Sequence, residues 1–202
     1  FYMLLVVWCG LTYMSESVEI NLLGFLSTCA GQDLAFTSLQ TASISSVVFA
    51  GEFSGAIVWA ICADVLGRRK SGIAAMVILV GASWAAGLSP NFSCLFAARF
   101  FVGFGIGGAC IPLNTLSEYL PQTYRGMSLT SGSALWALGA ILTNAMAWAV
   151  LSTEKQGDWR LLSYLCAALP TLALFGVYAH VPESPRWLLE QRDYAGAEEV
   201  RS

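Results

Sequence analysis

Four ionisable residues stand inside otherwise apolar stretches of this chain. They are Glu16 and Glu19 in the first stretch, Glu52 in the second and Arg99 in the fourth. With Thr12, the two first-stretch acids form a polar stripe at i, i+4 and i+7, one face of a helix. A charge at the middle of a bilayer costs ~2.5–3.5 kcal/mol on insertion scales. Four unpaired ones would cost on the order of 10 kcal/mol, comparable to the whole stability of a domain. They must therefore pair, stay protonated or face water in a cavity. Arg99 is the only cation available to the stripe. A carboxylate held against a guanidinium in a water-lined cavity is a switch: protonating the acid frees the arginine, and a bound anion or proton biases the pair. Glu52 is flanked by Gly51 and Gly55, which also suit close helix packing.

Arg99 opens the run R-F-F-V-G-F-G-I-G-G, residues 99–108, which contains the pattern G-x-G-x-x-G. A dinucleotide-binding loop needs a strand before it, a helix after it and an acid about 20 residues on. Here the glycines lie inside a long apolar stretch, and the next acid, Glu118, comes ten residues after Gly108 at the far end of that stretch. Helix packing explains the run better. Gly103 and Gly107 share one face, and small residues at that spacing let helix backbones approach closely in lipid. Arg99 lies one turn before Gly103 on the same stripe.

The elements that must carry these residues follow from composition. Of 202 residues, 56% are hydrophobic and only 11% charged, with a mean hydropathy of +0.64. A soluble domain carries about 25% charge, so lipid must be the solvent for much of this chain. Six stretches are long and apolar enough to cross a bilayer: about 1–28, 42–63, 72–89, 93–116, 128–151 and 160–181. Short polar gaps separate them. The expected fold is an all-α membrane protein with six transmembrane helices over 1–181. A segment at 182–202 follows, with two early prolines and a short charged surface helix over 193–202. Seven basic residues (Arg68, Arg69, Lys70, Arg125, Arg186, Arg192 and Arg201) lie in the even gaps and the tail, against Lys155 and Arg160 on the other side. The basic side, with both termini, is expected to be cytoplasmic. The chain begins within an apolar run without a signal-peptide pattern, and is expected to continue beyond what is present here.

Several functions are disfavoured. The net charge of −3 and the absence of a basic, aromatic-interleaved patch argue against nucleic acid. One histidine, His180, and six cysteines without C-x-x-C spacing argue against a metal site. The cysteines read as apolar packing residues, with Cys29 and Cys94 the pair placed to bridge at the outer face. The sequon at Asn91 hugs the membrane and is expected to be unmodified.

Acids and bases recur together at the basic side. The second gap reads Ala60-x-x-x-Asp64-Val-Leu-Gly67-Arg68-Arg69, and the fourth Glu118-x-x-Pro121-x-x-x-Arg125-Gly126. Pro182-Glu183-Ser184-Pro185-Arg186 follows the sixth stretch. A cluster of such pairs would latch that side shut.

These motifs resemble the major facilitator superfamily, in particular its sugar-porter-like branch. The first matches G-x-x-x-D-[RK]-x-G-R-[RK] at Asp64, Gly67, Arg68 and Arg69, departing at Ala60 and Val65; the other two match in full. The fourth stretch is similar to the family's R-x-x-x-G-x-G-x-G. Residues 13–26 and "FVGFGIGG" look most like the synaptic-vesicle-2-related and organic-ion group. The resemblance implies the N-terminal half of a twelve-helix fold, with a C-terminal six-helix half as partner. It implies an inverted three-plus-three repeat, which the residues do not display by eye. It implies a secondary transporter of a small organic solute, a sugar or organic ion. No cofactor is implied beyond a coupling proton. In proton-coupled relatives an acid of span one pairs with the arginine of span four. Glu16 is the first match for that acid and Glu19 the second. The rival reading is a transporter-like membrane protein that binds a ligand or partner without moving solute.

Overall fold

The computed structural model describes residues 2–120, 122–151 and 158–191, apart from the side chains at 2, 122, 124 and 125. The side chain of the expected latch residue Arg125, with Pro121, Lys155 and the expected surface helix over 193–202, lies outside what is described. Among the described residues eight helices form in order: α1 (Tyr2–Asp33), α2 (Ser38–Leu66), α3 (Arg68–Gly87), α4 (Phe92–Ala109), α5 (Ile111–Tyr119), α6 (Gln122–Leu151), α7 (Trp159–His180) and α8 (Pro185–Glu190). Six segments of the described residues are long and apolar enough to cross a membrane, with α4 and α5 forming one of them.

The helices run beyond the apolar stretches because local signals, not hydropathy, set their ends. α2 starts at Ser38, four residues early, on a capping box: Gln40 N–H donates to Thr37 Oγ1 and Thr37 N–H to Gln40 Oε1. α4 starts behind Asn91, whose Oδ1 accepts the Cys94 N–H at 3.0 Å. The fourth span, expected as one helix, is broken at Cys110. Pro112 has no N–H to give the Gly108 carbonyl, and Cys110 N–H turns to that oxygen instead. All six cysteines are free thiols, so Cys29 and Cys94 do not bridge.

Packing reveals the repeat that the residues hide. α1 packs chiefly against α6 and α7, while the fourth span packs chiefly against α2 and α3; α3 and α7 meet each other. The first helix of each triplet thus packs on the second and third crossing helices of the other. Three crossings separate α1 from α4, so the two run in opposite directions, which makes the repeat an inverted one.

α2 and α4 make the most intimate contact. A methyl group on Gly103 would run into the Val48 carbonyl, and one on Gly51 into the Phe100 carbonyl. Gly55 meets the Phe104 backbone, and Gly107 meets the backbone of Glu52 and Ala56. Four glycines thereby interlock two backbones. The other two glycines of the run serve further contacts: Gly105 lies on Leu79 of α3, and Gly108 on Ala75 and Trp59. α4 is wedged between two helices, so its glycines occupy more than one face. The Trp59 indole closes the joint by donating to the Phe104 carbonyl at 2.8 Å.

Gly103→Leu should force α2 from α4. Overpacking costs ~1–3 kcal/mol, and the thermal midpoint of the detergent-solubilised protein should fall. Gly81→Leu, at an exposed glycine with open space around its Cα, should leave the midpoint unchanged. Equal effects from the two would refute the packing account.

Candidate functional site

Arg99 is the largest fully buried side chain in the molecule. Its position on α4 is set by the glycine joint one turn along, where Gly103 sits on Val48. Its Nη1 donates to Glu19 Oε2 of α1 at 3.0 Å, and neither side chain has any solvent exposure. Cys166 of α7 lies close to both charges. α1 and the fourth span also pack through apolar clusters, one holding Leu5, Cys9, Leu113 and Leu116 and another Val18, Leu22, Leu95 and Ala98, and the buried ion pair adds a polar link to that packing.

The partner is Glu19, not Glu16, and helix geometry gives the reason. Residues three apart on a helix differ by about 60° around its axis and one turn along it. With Glu19 aimed at α4, Glu16 turns toward α6 and lies near the Trp136 indole. Thr12, the third member of the stripe, is buried and donates to the Cys9 carbonyl at 2.7 Å. Glu52 lies near Glu16. Cys110, at the break in the fourth span, is close to both carboxylates, and Tyr13 is close to Glu16 and Cys110. Glu16 and Glu52 are each half-buried, and among the described residues neither has a cationic partner. The site therefore has two compartments. One holds a fully buried, charge-balanced pair. The other holds two uncompensated carboxylates beside an indole, a phenol and a thiol.

Among the described residues, the basic end is not built as a set of acid–base pairs. Only Asp64 and Arg68, among the described residues, pair that way, at 2.9 Å across the α2–α3 junction and partly exposed, a geometry worth ~0–1 kcal/mol. Glu183 instead accepts the backbone N–H of Arg69 at 2.9 Å. The Arg69 guanidinium donates to the Tyr178 carbonyl at 2.9 Å, and Glu118 holds the Ser184 hydroxyl. Arg186 is exposed and makes no ion pair with a described residue. The physical reason is that α3 begins at Arg68. The first turn of a helix carries unpaired N–H groups and the positive end of the dipole, which compete with guanidinium groups for a carboxylate. Gly67 makes this possible. It sits at φ 103°, and a methyl there would meet the Glu183 carboxylate.

One cluster has no counterpart in the sequence reading. At the opposite end Asp33 Oδ2 accepts from Arg160 Nη1 at 2.9 Å and from the Trp159 indole at 3.0 Å, tying α1 to α7. No spacing or motif links residues so far apart in the chain.

A family model described as "Sugar (and other) transporter" matches residues 10–202. Among curated proteins, organic cation/carnitine transporter 7 of Arabidopsis thaliana is 32% identical over 192 residues, 95% of this chain and 37% of that protein. Human synaptic vesicle glycoprotein 2C is 31% identical over 193 residues, 90% of this chain and 26% of that protein. Among solved structures, the xylose transporter XylE of E. coli, in a partially occluded inward open conformation, superposes with a TM-score of 0.89 at 17% identity. The match covers 100% of this chain and 55% of that one. A bacterial homologue of the human lysosomal transporter Spinster gives 0.75 at 18% identity, over 90% of this chain and 43% of that one. The chain thus spans about a quarter to a third of these curated relatives and about half of the solved chains.

Arg99→Met should leave Glu19 alone among apolar groups. Removing one partner of a buried pair costs ~3–5 kcal/mol, so folded yield and thermal midpoint should drop. Adding Glu19→Leu should restore most of the loss, whereas adding Glu16→Gln should not. The reverse pattern would show that Arg99 is paired with Glu16.

Proposed function

We propose that this chain, which belongs to the sugar (and other) transporter family, forms the N-terminal half of a secondary active carrier that moves a small organic solute with protons by alternating access. The observation that carries this reading is the Glu19–Arg99 pair. It joins the leading helices of the two inverted triplets and is fully buried. Protonating Glu19 would leave Arg99 uncompensated in a low-dielectric site, and removing the proton restores the bond. One proton thereby biases how α1 sits against the fourth span, as a coupling site requires.

The solute site lies beside it, on the half-buried surface that carries Glu16 and Glu52, and is completed by the C-terminal half. Two carboxylates without a cationic partner disfavour anions. An indole and a phenol beside them suit either the face of a sugar or an organic cation. The names of the relatives agree with both: one is an organic cation/carnitine transporter and the other a xylose transporter. The basic end, with Asp64, Gly67, Arg68, Arg69, Glu118, Glu183 and Arg186, is the cytoplasmic mouth, by the excess of Lys and Arg there.

The test is uptake by the whole protein, both halves included, reconstituted in liposomes under an imposed inward proton gradient. The panel is labelled pentoses, hexoses and quaternary ammonium compounds. At least one solute should accumulate, and collapsing the gradient should abolish accumulation. Glu19→Gln should retain solute exchange and lose gradient-driven accumulation. If the wild type moves neither solute nor protons, the transport reading is wrong and a protein that binds without moving solute takes its place.

A further inference from the structure

The segment between α7 and α8 carries a demanding placement. Glu183 Oε1 must receive the Arg69 N–H at 2.9 Å and the Ser184 N–H at 3.1 Å. Gly67, which precedes α3, offers no side-chain cap of its own. The carboxylate fits only because Gly67 lacks a Cβ. A short segment cannot fix a side chain to that tolerance by itself, so its own backbone must be held. The holder is the end of α5. The Tyr119 hydroxyl lies 2.9 Å from the Pro182 carbonyl oxygen and 2.8 Å from that of Glu183, and its single proton is shared between them. Next to it, Glu118 holds the Ser184 hydroxyl, and Ser184 Oγ accepts the Trp187 N–H at 3.3 Å. The Trp187 indole reaches the Asp64 carbonyl at 3.0 Å.

We propose that Tyr119 is a positioning residue for the basic end of the bundle: by holding the Pro182 and Glu183 carbonyls, its hydroxyl sets the Glu183 carboxylate on the first turn of α3. The start of the third span is thereby made to follow the end of the fourth, although neither caps the other directly. A shift at the end of α5 reaches the α2–α3 junction through one phenol and one carboxylate. None of this depends on which solute, if any, is carried.

The experiment is amide hydrogen exchange on the whole protein in detergent, with rates normalised to intrinsic values. Tyr119→Phe removes the hydroxyl and keeps the ring. Arg69 and Ser184 should exchange about tenfold faster, the size expected for losing one net hydrogen bond. Amides of Met76–Leu79, in the middle of α3, should not change, which is the control for folding. Glu183→Gln should have a similar effect, and the double variant should add little to it. Fully additive effects, or unchanged Arg69 exchange in Tyr119→Phe, would overturn the proposal.

A pH profile separates positioning from general loosening. The titratable and charged groups around this site are Asp64 at the end of α2, Arg68 and Arg69 at the start of α3, Glu118 and Tyr119 of α5, Cys9 of α1, His180 at the end of α7 and Arg186 beyond the segment. On acidification, as carboxylates lose their charge and accept an amide N–H less strongly, Arg69 protection should fall in the wild type. It should be flat in Glu183→Gln, which excludes Glu118 as the cause. In Tyr119→Phe it should be flat as well, because the carboxylate has already left the helix end. A wild-type slope in Tyr119→Phe, merely displaced, would mean that the phenol only stiffens the region. Exchange requires no solute, so this result and the transport result stand or fall separately.

Discussion

A guanidinium sealed inside an apolar bundle must be met by an anion, and Arg99 is met by Glu19 across 3.0 Å. Much of the architecture serves that meeting. Arg99 is held at the right height because Gly103, one turn on, lets α4 rest on the Val48 backbone, and Gly51, Gly55 and Gly107 extend the same joint. Glu19 is held at the right angle because α1 is packed on α6 and α7. The leading helices of the two triplets otherwise meet through apolar clusters, so the pair is the charged point of an apolar seam. In a low-dielectric interior its attraction is strong, and so is the cost of losing either partner.

The same competition for carboxylates explains the basic end. Arginines there are plentiful, yet Glu183 chooses a backbone amide and Glu118 a hydroxyl. An exposed guanidinium keeps its hydration and gives little by pairing. A helix N-terminus beside Gly67 offers preorganised N–H groups that would otherwise go without a partner. Glu183 therefore acts as a cap supplied from another part of the chain. The arginines are left to bond a carbonyl, pair locally or face water.

The two half-buried acids form the counterpart to this economy. Glu16 and Glu52 sit where charge is costly and have no described cation beside them, whereas Glu19, one turn away, is neutralised. A protein does not keep such groups on a membrane-depth surface for packing alone. They share one half-buried surface, and among the described residues no cation offsets them.

Much of this was legible in the residues themselves. Hydropathy and the scarcity of charge require six membrane helices, since no other solvent suits such a chain. The glycine spacing requires close helix packing and not a phosphate loop, because the run has no strand before it. The motifs at 64–69, 118–126 and 182–186 carry the family resemblance through to the matched family. Other features are properties of the assembled bundle. The choice of Glu19 over Glu16 turns on a 60° rotation of α1, which its packing sets and its own residues do not. The break at Cys110 needed Pro112 to be placed in a helix before its missing N–H mattered. The repeat is written in which helices touch, and two triplets can keep that pattern with little likeness in their residues. Glu183 on Arg69, Tyr119 on Pro182 and Asp33 on Arg160 join residues 63 to 127 positions apart. Local sequence specifies helices because their hydrogen bonds are local. Which side chain meets which across the bundle is decided only when the helices have packed, and in this protein those meetings carry the chemistry.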